Sequence, residues 1–123
     1  MSSPSFRRCG IVVKRDAQGA ATTLAAILQR LDAMQVPLVV DAATASAFGV
    51  DRPHIPLAEM PNHVDLMVVV GGDGTLLRAS RAVLGAGLPI LGVNLGRLGF
   101  MVDIAPDAAA NALQAILEGA YIE

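Results

Sequence analysis

Aromatic side chains are nearly absent: Trp does not occur, Tyr occurs once and Phe three times in 123 residues. A core must then be assembled from Ala, Val, Leu and Ile, a composition that suits helices packed on a buried sheet. Cysteine is reduced to Cys9, so no internal disulfide can form, and its apolar neighbours mark a small buried hydrophobe rather than a reactive thiol. A reducing compartment agrees with that. Charge is sparse as well, nine basic and eleven acidic residues scattered without runs for a net charge of -2. No basic face is left for a nucleic acid backbone to follow, which argues against a nucleic acid partner. Long hydrophobic runs are missing too. The longest strongly apolar one, Leu66 to Val70, falls far short of the roughly 18 residues of a membrane span. The apolar stretch after Arg7 and Arg8 is cut off by Lys14 and Arg15, too early for a secretion signal. A cytoplasmic protein with no membrane partner is expected.

What is present has the size and order of one α/β domain, large enough to bury about two-thirds of its unfolded surface. After a disordered-looking MSSPS, residues 10–14, GIVVK, form a β-branched first strand. Leu24, Ile27, Leu28 and Leu31 place one apolar stripe on a helix over 20–35. PLVVD, 37–41, is a second strand, and Asp41 caps a short helix that runs through Phe48 to Gly49. Three prolines between Asp51 and His63 predict a loop with one short turn at most. His54 and His63 lack partners at metal spacing and are expected on its surface. Residues 65–70 are a strand covered on both faces, since Leu66 to Val70 are apolar throughout. A helix over 75–84 carries Leu76, Leu77, Ser80, Val83 and Leu84, and PILGV, 89–93, is the fourth strand. A loop leads into MVDI, and a last helix presents Ala109, Ala112, Leu113, Ile116 and Leu117, with Pro106 near its start and Gly119 past its end. The alternation predicts an open, mostly parallel sheet with flanking helices and right-handed crossovers. Residues 1–123 read as the front part of a longer protein.

Two glycine-rich loops, 71–74 and 92–99, fall at the carboxyl edge of that sheet, where ligands of such folds bind. Gly71, Gly72 and Gly74 remove Cβ atoms from a turn that opens a helix, so backbone N–H groups can approach a phosphate. A P-loop requires Lys and Ser or Thr after its glycines, and Lys14, the one lysine, is far away in sequence. The dinucleotide fingerprint finds Leu77 at its third glycine and no acid about twenty residues on. Asp73, set between glycines, has two readings. It can cap the helix, although Thr75 could do that, or it can accept the proton of an attacking hydroxyl beneath a phosphate donor.

GGDGT (71–75), GVNLGRLGF (92–100) and ILEG-x-Y (116–121) together resemble the NAD kinase family, in order from about Val64 onward. GGDGT alone is shared with lipid kinases and, more loosely, phosphofructokinases; the loop Asn94 to Phe100 singles out NAD kinases. The resemblance implies a Rossmann-like N-terminal domain. It implies phosphorylation of the adenosine-ribose 2′-hydroxyl of NAD by ATP or polyphosphate with Mg²⁺ or another divalent ion. It makes Asp73 the proton acceptor, assigns NAD contacts to Asp73, Gly74, Arg78 and Phe100, and gives the donor phosphates to Gly71, Gly72, Gly74 and Thr75. No metal-ligating residue is assigned. Family members continue into a β-rich domain with most NAD contacts and are usually homo-oligomers, so this piece alone is expected to be inactive. Arg78, Arg81 and Arg97 are also compatible with solvated positions, and Phe100 with the core. The alternatives are a lipid kinase, whose GGDGTxxE pattern would place an acid where Arg78 stands, and a nucleotide-binding module without chemistry.

Overall fold

A computed structural model describes residues 8–15, 19–83, 85–94 and 108–118, with Asp73 and Asn94 as backbone only. Five strands, β1 (Cys9–Val13), β2 (Leu38–Asp41), β3 (His54–Ile55), β4 (Leu66–Gly71) and β5 (Ile90–Asn94), form one sheet in the order β3-β2-β1-β4-β5. Every neighbouring pair is parallel. Helices α1 (Ala20–Ala33), α2 (Ala42–Phe48), α3 (Asp73–Ala82) and α4 (Ala109–Leu117) fill the crossovers.

Strand side chains alternate between two layers, as a period of two requires. On one face Ile11, Val13, Leu38, Val40, Leu66, Val68 and Val70 pack with Leu24, Ile27 and Leu31 of α1 and Leu113 and Leu117 of α4. On the other, Val12, Val39, Met67 and Val69 meet Met60 and Val64 and the α3 residues Leu76, Ala79 and Val83. β4 is buried at every residue, which is why it reads as an unbroken apolar run. The α1 and α4 stripes are those expected, and Arg30 ties the two helices by donating to Gln114 Oε1 at 2.7 Å and to the Ala110 carbonyl at 3.2 Å. Among the described residues no helix is long and apolar enough to cross a membrane.

Three expectations require correction. The proline-rich connection holds a strand, β3, and a 3₁₀ helix, Leu57–Asn62. Two residues between Pro53 and Pro56 carry no periodicity to read, and prolines are tolerated there because β3 lies at the sheet edge. Leu77 does not join the apolar stripe of α3 and is 44% exposed, because Leu76, Ala79 and Val83 already define the buried face. Asp41 occupies the N-cap position of α2, yet its side chain makes no capping bond. The expected MVDI strand, Leu84, Pro106 and Gly119 lie outside the described residues.

Candidate functional site

The chain runs outward from β1 to β2 and β3, then returns to lay β4 and β5 on the other side of β1. The direction of winding therefore reverses between β1 and β4, and the loops at their carboxyl ends diverge to leave a crevice. There the structure has a cleft of about 510 Å³ lined by Val13, Lys14, Arg15, Asp41, Ala43, Gly72, Gly74, Thr75 and Arg78.

Its walls are fixed by short-range contacts. The Lys14 N–H donates to the Val70 carbonyl at 2.8 Å, binding the end of β1 to β4. Thr44, buried in the first turn of α2, accepts the Val13 N–H on Oγ1 at 2.9 Å and returns its hydroxyl to the Val13 carbonyl at 3.3 Å. That pair seats α2 on the end of β1, where β2 has already stopped. A side chain at Gly71 would bring its Cβ to 2.8 Å from Thr75 Oγ1 and 3.1 Å from Lys14 Cβ, so glycine at 71 lets the first turn of α3 sit against the strand.

Gly72 and Gly74 are different. Neither has a positive φ, and among the described residues a Cβ at either would meet nothing within 4 Å. The conformation and packing of the described residues do not demand glycine at either position. Gly74 even lies within α3, where glycine costs about 1 kcal/mol relative to alanine. The space left bare is the cleft. The first intrahelical bond of this turn runs from the Leu76 N–H to the Gly72 carbonyl at 3.1 Å, so the N–H groups before it have no partner inside the helix. Unsatisfied amides, the positive end of the helix dipole and the cations Lys14, Arg15 and Arg78 around one cleft make a site for anionic, phosphate-bearing ligands.

Gly71, Gly72, Gly74, Thr75 and Arg78 are thus brought together, with Arg78 exposed on the second turn of α3. Asp73 is the first residue of α3 and the N-cap is Gly72, so Asp73 does not hold the capping position that one reading gave it. Its carboxylate, Arg97 and Phe100 lie outside the described residues. Asn94 pairs with Gly71 across the sheet, which starts the second glycine loop beside the first. Arg81 is exposed and outside the cleft lining. His54 and His63 are exposed, and no cluster of three metal-binding side chains exists among the described residues. Three charged lining residues escaped the sequence reading, Lys14, Arg15 and Asp41. Lys14 was set aside for its distance along the chain, although it directly follows β1. The signal was a charge directly ending an apolar strand, as in IVVK and LVVD.

The fold is that of a doubly wound α/β protein with its cleft at the reversal of strand order. Residues 9–121 match the ATP-NAD kinase N-terminal domain, and the chain belongs to that family. It is 44% identical over 115 residues to an NAD kinase of Methylococcus capsulatus, covering 94% of this chain and 40% of the relative. An NAD kinase of Ralstonia nicotianae is 40% identical over 117 residues, covering 94% of this chain and 39% of the relative. The chain therefore spans about 40% of the length of these curated relatives. Its fold matches the crystal structure of yeast NADH kinase complexed with NADH, with a TM-score of 0.77 at 20% identity, covering 97% of this chain and 45% of that one. A diacylglycerol kinase structure from Bacillus anthracis matches with a TM-score of 0.54 at 23% identity, covering 75% of this chain and 35% of that one.

Proposed function

We propose that this chain is the phosphate-binding and catalytic domain, residues 1–123, of an NAD kinase, transferring a phosphoryl group from ATP or polyphosphate to the adenosine-ribose 2′-hydroxyl of NAD. The observation that carries the reading is the bare backbone at Gly72 and Gly74, which no contact among the described residues explains and which opens on a cation-lined cleft at the point where the strand order reverses. Family membership supports the acceptor, since the relatives matched are NAD kinases. Identity to the diacylglycerol kinase is confined to the fold, and Arg78 stands where the lipid kinase pattern has an acid.

In this mechanism the α3 N-terminus and Lys14 receive the donor phosphates, with Gly71, Gly72, Gly74 and Thr75 shaping the turn. Asp73 accepts the proton of the attacking hydroxyl, and Gly74, Arg78 and Phe100 hold NAD beside it. Positioning carries most of the rate, because phosphoryl transfer depends on alignment and charge neutralisation more than on covalent help. A divalent ion such as Mg²⁺ neutralises the donor phosphates when bound. No cluster of three metal-binding side chains exists among the described residues, so the ion would be held mainly by the substrate's own phosphates, as Mg²⁺ commonly is. We place the protein in the cytoplasm as a homo-oligomer.

The test is Asp73→Asn in the full natural protein. Asn serves a helix start as well as Asp does, so stability should hold while NADP formation falls by about 100-fold or more. Matched losses of melting temperature and turnover would return Asp73 to a structural role and remove the enzymatic reading.

A further inference from the structure

Asp41 has no task in that mechanism. It ends β2, is 5% exposed and accepts no side-chain hydrogen bond among the described residues, the cap of α2 included. Among the described residues, no fully buried side-chain oxygen lacks a partner. The unpaired carboxylate oxygens of Asp41 therefore reach open space, and the space this residue lines is the cleft. A buried carboxyl that meets no donor among the described residues can take its hydrogen bonds from a ligand that brings donors.

The position narrows what those donors are. β1 lies between β2 and β4, so Asp41 stands two strand spacings, about 9.6 Å, from the strand that leads into the glycine turn. A ligand with phosphates on the turn at 72–75 and a body passing Lys14 extends toward Asp41. Phosphate oxygens would be repelled there, whereas vicinal hydroxyls offer two donors to one carboxylate. In dinucleotide-binding sheets of this strand order, whose glycine turn follows the first strand, an acid about twenty residues further on takes a ribose hydroxyl. Here the glycine turn follows β4, and Asp41 is an acid at the end of β2 of the same crevice. The acceptor's reacting ribose has to lie near Asp73, at the β4 end, so the hydroxyls at Asp41 belong to a different ribose. The donor whose phosphates sit on the turn at 72–75 supplies it; the acceptor's second ribose is the alternative that a comparison of donor nucleotides excludes.

Resting on the phosphoryl-transfer reading, we infer that Asp41 accepts hydrogen bonds from the ribose hydroxyls of a nucleoside triphosphate donor and so selects a nucleotide over a bare polyphosphate. Asp41 is then a specificity residue for the donor and has no part in moving the proton.

The experiment compares ATP with 2′,3′-dideoxy-ATP in the full natural protein and its Asp41→Ala and Asp41→Asn variants. The parent should prefer ATP by at least tenfold in kcat/KM. Asp41→Ala should raise the KM for ATP about 30-fold, the scale of a lost hydrogen bond to a charged group. It should leave dideoxy-ATP and the inhibition constant of inorganic tripolyphosphate within about twofold. Asp41→Asn, which keeps the shape but halves the hydrogen-bond strength, should fall between. Equal losses for ATP and dideoxy-ATP, weakened tripolyphosphate inhibition, or a parent indifferent to the two nucleotides would each overturn the assignment. If the parent makes no NADP from any donor, the phosphoryl-transfer reading fails by itself, and equilibrium binding of the same two nucleotides still decides the role of Asp41.

Discussion

Replacing Gly74 by Ala separates what the chain needs from what a ligand needs. Gly74 is the second residue of α3, has no positive φ, and would place a Cβ in a space with no atom of the described residues within 4 Å. With no clash and no backbone strain to offset it, the substitution gains helix propensity and restricts the unfolded chain, together about 0.5–1 kcal/mol. For a domain of this size that is a rise in Tm of about 2–6 °C. The same methyl group stands where a phosphate must come close to the amides of the first turn. A displacement of about 1 Å in such a site costs on the order of 100-fold in rate. Scanning calorimetry beside an assay of NADP formation should thus find the variant more stable and at least ~100-fold less active. A fall in Tm would mean that glycine serves the fold here, and full activity at a raised Tm would mean that nothing approaches this backbone; either result refutes the argument from bareness.

Two further substitutions probe how the cleft is supported and how the core is sealed. Thr44→Val removes the 2.9 Å bond that the Val13 N–H makes and leaves that donor buried, which should cost about 2 kcal/mol in urea unfolding. Thr44→Ser, which keeps the hydroxyl, should stay within about 1 kcal/mol of the parent. The Cys9 thiol is pushed up from 9.0 to about 12, by burial first and by the charge of Asp65 second. Because the folded value lies above the unfolded one, its contribution to stability is whole below about pH 9 and is lost as pH rises toward 12. Cys9→Ala should accordingly show a shallower decline over that window, and thiol reagents at neutral pH should label the parent no faster than it unfolds. Labelling within seconds in native buffer would contradict the burial of Cys9.

The parts of the fold that could be read in the sequence are those whose burial repeats with a period. Val68 to Val70 are covered from both faces, so no polar residue interrupts them, and Leu24, Ile27 and Leu31 mark the buried side of α1 at helical spacing. β3 was not readable, because its two residues are held by pairing at the edge and not by any pattern of their own. The glycine turn of the site was visible because its residues are consecutive. Lys14 and Asp41 were hidden because they reach the cleft through strand pairing, Lys14 across β1 and β4 and Asp41 at the end of β2. Only topology decides which strand ends become neighbours. Leu77 was misplaced for the opposite reason: hydrophobicity was counted where direction on the helix mattered.

The pairing that closes the cleft joins Cys9 to Leu66 and Val13 to Val70, segments separated by more than fifty residues. Such non-local parallel pairings form slowly, since the intervening chain must be gathered before the contact yields anything. The walls that would grip a phosphate thus exist only once this long-range pairing has formed. A nucleotide that binds only the finished cleft draws the population toward it, by an amount set by its concentration relative to its dissociation constant. A ligand of the cleft would then act on maturation as well, protecting newly made protein wherever that ligand is abundant.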